Sequence, residues 1–184
     1  MDLRIQRTKA AIKKAFLQLR SQKPIEKITV TELTKLANIN KATFYLHYSD
    51  IYALSDELED SLIDEVLTGL KVQENFFDNP QQYALEIFKA LVAHREEIDC
   101  VFSGGRFALA SDKIEARIKA ALFDSSPAYK TRKNEIIVTF LIQGLFHSVK
   151  TPRMSGDMRE ELAQLSQLTT LVISQIERPT VNEQ

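Results

Sequence analysis

The sequence predicts an all-α fold of about nine helices. Ala, Leu, Lys, Glu and Gln are frequent, whereas the 184 residues include five Gly, five Pro and no Trp, a composition typical of helical proteins. Apolar residues recur at intervals of three and four in most segments, and the period-two alternation of strands is scarce. With 44% hydrophobic residues, a chain of this length can bury a core, so an intrinsically disordered chain is excluded.

Charge divides the sequence into two parts. Residues 1–52 contain ten Lys or Arg and four Asp or Glu, whereas the remainder contains fourteen and twenty-one, giving net charges of +6 and −7. This asymmetry favours a polyanion-binding domain at residues 1–50 joined to a second domain at residues 51–184. On charge alone, a chance excess of solvated lysines remains the alternative.

Several classes of protein are disfavoured by simple features. The N-terminal residues contain no uninterrupted apolar stretch, so we expect neither a secretory signal nor a membrane span, and a cytoplasmic location. Cys100 is the single cysteine, which excludes an internal disulfide and leaves no cysteine partner for a zinc site. We expect a structural thiol, no metal and no cofactor.

The first two helices are predicted from their stripes and their ends. Pro24 ends the first helix, because its ring discourages helical geometry at the preceding residue. Thr29 begins the second helix, and Glu32 is spaced to return a hydrogen bond in a capping box. The inward stripe of the first helix is Ile5, Thr8, Ile12, Ala15, Phe16 and Leu19, and that of the second is Leu33, Leu36 and Ala37.

A short turn separates the second helix from the third. Asn38 tolerates the left-handed geometry that such a turn requires, and Asn40 can cap the third helix. Phe44 and Tyr48 are four residues apart and are predicted to pack inward. The other faces then carry a cation, a hydroxyl, a phenol, an apolar side chain and an imidazole, which suit a surface that reads the DNA major groove. These residues are Lys41, Thr43, Tyr45, Leu46 and His47.

Further amphipathic helices are predicted after residue 50. The first aligns Leu54, Leu58, Leu62, Val66 and Leu70. Pro80 suits the first turn of the next, which is predicted as a single helix over residues 81–102. The segment at 134–150 is apolar over nearly all its circumference, and 157–177 repeats Leu162, Leu165, Leu168, Val172 and Ile176. Two such helices in a small chain predict a partner subunit that covers them.

The segment "ITVTELTKLANINKATFYLHYSDIYAL", residues 28–54, resembles the DNA-binding region of TetR-type transcriptional regulators. The pattern of that family is an apolar-Thr-apolar start, an Ala-Gly-Val-Ser turn and a Tyr-x-x-Phe run that enters a long fourth helix. The segment "RTKAAIKKAFLQL" is similar to the first helix of that family, so the resemblance covers about 60 residues. The chain departs from the pattern at Asn38, Asn40 and Tyr48, and Ile51 stands where many members have a phosphate-contacting lysine.

The resemblance implies a function and a set of DNA contacts. We expect a repressor that binds a double-stranded, pseudo-palindromic operator as a homodimer. Thr29, Thr31, Tyr48 and the amides at the start of the second helix would hold phosphates, although Tyr48 suits a core position better. The residues that would face DNA are Asn40, Lys41, Ala42, Thr43, Tyr45, Leu46 and His47.

The resemblance also implies dimerisation through the helices at 134–150 and 157–177, and a small-molecule effector whose identity the sequence does not give. The candidate pocket residues are Phe88, Phe102, Phe107, Phe123, Phe140, Gln143, Phe146 and His147. Each of them also suits a plain core position.

Two other functions compete with this interpretation. His94, Glu97 and Cys100 lie at helical spacing and suggest an enzyme, but the sequence lacks a second histidine at i+4, a phosphate loop and a nucleophile elbow. A protein with the same fold that acts as a protein-interaction co-regulator, without binding an operator directly, is the second alternative, and Ile51 favours it.

Overall fold

The structure is a computed structural model that describes residues 3–68, 76–77, 79–103, 105–150 and 158–179. Within these residues it contains nine α-helices and no strand, which confirms the predicted all-α class. None of the described helices is both long and apolar enough to cross a membrane. The helices are α1 (Leu3–Arg20), α2 (Val30–Leu36), α3 (Lys41–Tyr45), α4 (Ile51–Thr68), α5 (Pro80–Ala93), α6 (Arg95–Val101), α7 (Phe107–Ser125), α8 (Arg132–Lys150) and α9 (Met158–Ile173).

The chain packs as two compact units. The first consists of Met1–Asp64 and Glu96–Ala110, and the second of Glu65–Arg95 and Ser111–Gln184. These packing units differ from the predicted functional domains, 1–50 and 51–184, whose boundary remains a prediction. Two residues of the predicted apolar stripes lie outside the description, namely Leu70 and the side chain of Leu162.

The first unit contains the three predicted N-terminal helices, here called the head. Helix α1 packs against α2, and α2 packs against α3. Most residues of the two predicted inward stripes are buried. Ile5 on α1 and Leu36 on α2 are exposed, so the buried face of each helix is smaller than the one predicted from residue spacing. The first part of α4 completes the core of the head, whose residues are Ile12, Ala15, Phe16, Leu19, Ile25, Ile28, Leu33, Phe44, Tyr48, Ile51, Leu54 and Leu58.

The segment from 81 to 102 forms two helices where the sequence predicted one. Helix α5 begins at Pro80, as expected, with Asn79 as its cap, and it ends before His94. His94 has φ of −102° and ψ of 16°, values between the main allowed regions, at which the helical ladder does not continue. Glu96 and Glu97 then occupy the first turn of α6, where negative charge suits the helix dipole.

Helices α5, α8 and α9 pack together in the second unit. Asn134, at the start of α8, is fully buried. Its amide nitrogen donates to the carbonyl oxygens of Tyr129 and Glu177, both at 2.9 Å, and its oxygen accepts from the Glu177 amide at 2.8 Å. One side chain therefore fastens the segment after α9 to the start of α8.

Replacing Asn134 with alanine is expected to lower the free energy of unfolding by about 2–3 kcal/mol, because it leaves buried backbone groups without partners. Chemical denaturation monitored by circular dichroism measures the change. The matched control is Lys133→Ala, an exposed neighbour, for which we expect a change within about 0.5 kcal/mol. Equal effects of the two substitutions would contradict the role of Asn134.

Glu115 of α7 is joined to α8 by a polar network. Its carboxylate accepts from Thr139 Oγ1 at 2.6 Å and Gln143 Nε2 at 2.8 Å, and Lys119 Nζ lies 2.6 Å away. Burial by itself raises the pKa of Glu115, but the hydrogen bonds from Lys119, Thr139 and Gln143 together with the Lys119 charge lower it overall. The network therefore favours the ionised carboxylate.

Because the folded-state pKa of Glu115 is lowered, its ionisation stabilises the protein above the unfolded-state pKa, and this contribution is lost as the pH falls through the folded-state value. Glu115→Gln is expected to lower the free energy of unfolding at neutral pH by about 1–2 kcal/mol. The difference from the unsubstituted protein should shrink below about pH 4. Denaturation across a pH series measures it, and a constant difference would contradict the assignment.

Apolar side chains remain exposed on α8 and α9. Ile136 and Phe140 are 54% and 67% exposed, and Leu168 and Leu171 are 60% and 66% exposed. Ile136 and Phe140 are four residues apart on α8, and Leu168 and Leu171 are three apart on α9, so each pair lies on one face of its helix. We call these four residues the apolar stripe. The sequence predicted that α8 leaves little room for a solvent face, whereas in one chain this helix keeps an exposed apolar face.

Candidate nucleic-acid interface

Helix α2 begins where the sequence predicted, with half of the capping box formed. Thr29 Oγ1 accepts from the Glu32 amide at 3.2 Å. The carboxylate of Glu32 pairs with Lys23 Nζ, so the predicted return bond to the Thr29 amide is absent among the described residues. The sequence did not predict the ion pair between Lys23 and Glu32. Lys23 lies before α2, in a segment whose path depends on Pro24.

The turn between α2 and α3 has the predicted chemistry. Asn38 adopts φ of +53°, the left-handed value expected of it. The Ile39 amide then donates to the Thr34 carbonyl oxygen at 3.0 Å. Asn40 Oδ1 accepts from the Thr43 amide at 2.7 Å, which confirms the predicted cap of α3. Two asparagines therefore fix where α3 begins and the direction in which it leaves α2.

Helix α3 is shorter than predicted, with five residues from Lys41 to Tyr45. The next residues continue a turn, in which the amides of His47 and Tyr48 both donate to the Phe44 carbonyl oxygen. Phe44 and Tyr48 are buried as predicted. A helix this short has little stability of its own, so its position depends on these two aromatic anchors.

The residues that the resemblance assigns to DNA lie at the cap of α3, on α3 and directly after it, and we call this set the reading face. It consists of Asn40, Lys41, Ala42, Thr43, Tyr45, Leu46 and His47. Asn40, Lys41 and Ala42 are exposed, as are Tyr45 at 55% and Leu46 at 81%, while Thr43 and His47 are half-buried. The face offers a cation, hydrogen-bonding groups and an apolar group that suits a thymine methyl.

Tyr48 is tied to α4 through Glu57. The Tyr48 hydroxyl donates to Glu57 Oε1 at 3.0 Å, and Lys9 Nζ lies 3.0 Å from each oxygen of the same carboxylate. Burial, followed by the bond to Glu57, raises the pKa of Tyr48. A phosphate contact by Tyr48 would have to replace this bond, so the geometry favours the core position over the predicted phosphate contact.

Lys9 and Glu57 were missed by the sequence interpretation. They are 48 residues apart and belong to α1 and α4, so no local spacing relates them. The one available signal was the hydroxyl of Tyr48, where the TetR-type pattern has phenylalanine, because a buried phenol requires a hydrogen-bond partner.

The remaining predicted phosphate contacts lie at exposed positions. Thr29 and Thr31 are exposed at the start of α2, although Thr29 Oγ1 already serves as the helix cap. Exposed basic residues on α1 and α2 add positive charge to the head, namely Arg7, Lys13, Lys14 and Lys35. Ile51, in place of the usual lysine, is buried in the core of the head.

The eight candidate pocket residues are divided between the two packing units. Phe102 and Phe107 belong to the first unit, and the other six to the second. Phe140 and His147 are exposed, and Gln143 donates to Glu115. Phe88, Phe123 and Phe146 are buried. Aromatic residues on apolar helices are as common in a core as in a pocket, and the sequence did not separate the two.

In the enzyme alternative, His94 is the residue at which α5 ends, whereas Glu97 and Cys100 lie on α6. Burial raises the pKa of the Cys100 thiol, which disfavours the reactive thiolate. Across the part of the chain that the structure describes, no group of three metal-ligating side chains is present.

Comparison with known proteins gives one informative similarity. No family model matches the chain. Over 93 residues, half of its length, the chain is 32% identical to an uncharacterized HTH-type transcriptional regulator, YxbF, of Bacillus subtilis strain 168. The matched stretch is 23% of the length of that relative.

Proposed function

We propose that the protein is a TetR-like transcriptional repressor that binds a pseudo-palindromic operator as a homodimer and is released by a small-molecule effector. The observation that carries the proposal is the reading face. Its exposed cation, phenol and apolar group lie around a five-residue helix that is capped by Asn40 and anchored by Phe44. The similarity to a helix-turn-helix regulator supports the same class.

The homodimer is supported by the apolar stripe. Its four large side chains lie on α8 and α9, which pack against each other in the second unit. Exposed apolar patches of this kind mark protein interfaces. Two heads in a symmetric dimer would then contact successive major grooves, about 34–36 Å apart.

Release by an effector would follow from linkage. An effector that binds a state with a different separation of the two reading faces weakens operator binding by the same factor by which operator weakens effector binding. In this proposal α4 moves and changes that separation. Spin-label distances between the heads, with and without a molecule that releases DNA, test it, and an unchanged separation would exclude this mechanism.

The function is tested by selecting bound fragments from the source genome and measuring their affinity by fluorescence anisotropy. We expect an inverted-repeat sequence to bind at least about 10³-fold more tightly than a scrambled duplex. Affinity should fall steeply with salt, by about 0.9 in log-log slope for each neutralised phosphate. Equal affinity for scrambled DNA would favour the co-regulator alternative, to which the buried Ile51 gives some support.

Replacing Lys41 with glutamine is expected to reduce the salt slope by about 1 for each subunit and to weaken all sequences similarly, because a phosphate contact carries no base information. Lys41 is exposed at the start of α3, so the free energy of unfolding should change by less than about 0.5 kcal/mol. Lys130→Gln, an exposed lysine of the second unit, is the control and should leave the slope unchanged. An unaltered slope in Lys41→Gln would remove this residue from the interface.

A further inference from the structure

Arg20 places a buried cation at the end of α1. The residue is 3% exposed, and its Nε and Nη1 atoms are buried without a hydrogen-bond partner. Its Nη2 atom donates to the carbonyl oxygens of Val101 and Ser103, so within the described residues its hydrogen-bond partners are neutral groups. Because a buried charge without an opposite charge is costly, an anion formed beside Arg20 would be stabilised.

The carboxylates nearest in charge to Arg20 are engaged elsewhere or exposed. Glu59 is buried and accepts from Arg106 Nε at 2.8 Å and from Ser55 Oγ at 2.9 Å. Glu26 is exposed to solvent, which screens its charge. Burial lowers the pKa of Arg20, and the largest opposing effect comes from the charge of Cys100, ahead of both glutamates.

Cys100 lies on α6 beside this cation. Its Sγ atom lies 3.8 Å from the carbonyl oxygen of Leu17, which is one turn before Arg20 on α1. Val101, the residue after Cys100, accepts from Arg20 in turn. Each side chain therefore contacts the backbone beside the other. Cys100 is also partly exposed, and it is the single cysteine of the chain.

We propose that Cys100 is a site of oxidation by hydroperoxides and that its sulfinate is bound by the guanidinium of Arg20. The sulfur attacks one oxygen of the hydroperoxide, an S–O bond forms, the O–O bond breaks, and the other oxygen leaves with the thiol proton as water or an alcohol. A second hydroperoxide converts the sulfenic acid to the sulfinic acid in the same way. With no second cysteine, an internal disulfide cannot divert the sulfenic acid.

The sulfinate would place two oxygens and a negative charge where Arg20 has two N–H groups without partners. Hydrogen bonds between ionised groups are stronger than those between neutral groups. The end of α6 carries partial negative charge and opposes an anion, so the stabilisation depends on Arg20. Burial raises the pKa of the Cys100 thiol while Arg20 lowers it, so oxidation should be slow at neutral pH and faster as the pH rises.

The test treats the full chain with millimolar hydrogen peroxide. Peptide mass spectrometry identifies oxygen atoms added to Cys100, and circular dichroism measures thermal unfolding. We expect oxidation to raise the unfolding midpoint by at least about 3 °C, the effect of one charge-assisted interaction in a chain of this size. Cys100→Ser, treated identically, controls for oxidation of the three methionines and should show no rise.

Two variants assign the effect to Arg20. In Arg20→Gln, oxidation should lower the midpoint, because the sulfinate would lie at the end of α6 without an opposite charge. Arg7→Gln, at an exposed position of the same helix, is the matched control and should keep the rise. An equal rise in both variants would contradict the role of Arg20.

A second comparison needs no oxidant. Cys100→Asp introduces a carboxylate that is similar to the sulfinate in shape and charge, and Cys100→Asn is its neutral counterpart. We expect the midpoint of Cys100→Asp to exceed that of Cys100→Asn by at least about 3 °C at neutral pH. Because Arg20 would lower the folded-state pKa of the carboxyl group, the difference should be present above about pH 4 and be lost as the pH falls further.

Three results would overturn the proposal, namely no oxygen added to Cys100 in the folded protein, an oxidised protein no more stable than the reduced one, or Cys100→Asp no more stable than Cys100→Asn. If Arg20→Gln does not fold, the comparison of Cys100→Asp with Cys100→Asn still decides. None of these measurements involves DNA, so failure to bind an operator would contradict the proposed function alone.

Discussion

Replacing Phe44 with alanine is expected to lower the free energy of unfolding by about 3–5 kcal/mol, the usual cost of removing a buried aromatic side chain. Phe44 is fully buried and is the buried residue of the five-residue α3. Its ring lies 5.5 Å from that of Tyr45 and 5.7 Å from that of Tyr48. The substitution should therefore also displace the reading face and abolish the proposed specific binding to an operator.

The matched control for this prediction is Leu46→Ala, two residues away. Leu46 is 81% exposed, so its removal should change the free energy of unfolding by less than about 0.5 kcal/mol. It should still lower operator affinity, by roughly tenfold for each lost thymine contact. Denaturation and anisotropy together separate the two effects. Similar stability losses in both variants would show that burial does not distinguish these positions.

Phe140→Asp is expected to convert the proposed dimer to a monomer at micromolar concentration. The side chain is 67% exposed in one chain, so an aspartate there costs little in the isolated subunit. Within an apolar interface the same charge loses its hydration without a partner, at a cost of several kcal/mol. This cost corresponds to a rise of more than about 10³-fold in the dimer dissociation constant.

Sedimentation equilibrium measures the dissociation constant, and circular dichroism checks that the variant is folded. The control is Ala120→Asp, which introduces the same charge at an exposed position of α7. It should leave the association unchanged. A Phe140→Asp protein that remains dimeric would exclude the apolar stripe as the interface, and the dimer would then have to use another surface.

The parts of the head that the sequence predicted correctly depend on local chemistry. Asn38 adopts positive φ, Asn40 caps α3 and Thr29 caps α2, because each effect involves residues no more than a few positions apart. The inward positions of Phe44 and Tyr48 follow from helical spacing alone. No distant part of the chain is needed for these features.

The features that were missed depend on packing between distant segments. The carboxylate of Glu57 accepts hydrogen bonds from Tyr48, 9 residues away, and from Lys9, 48 residues away. Gln143 donates to Glu115 on another helix, a partner that its own helix does not indicate. Helical periodicity fixes which face is apolar, but not which neighbour covers it.

The buried guanidinium of Arg20 makes the head depend on a later segment of the chain. Arg20 Nη2 donates to the carbonyl oxygens of Val101 and Ser103, at 3.0 and 3.1 Å, more than eighty positions later in the chain. A fragment that ends after α4 would contain the Arg20 cation without the two carbonyl oxygens to which it donates. We therefore expect the isolated head to be less stable than the head within the full chain. A chimeric protein that contains the head should also contain the residues of α6 and the residues directly after it.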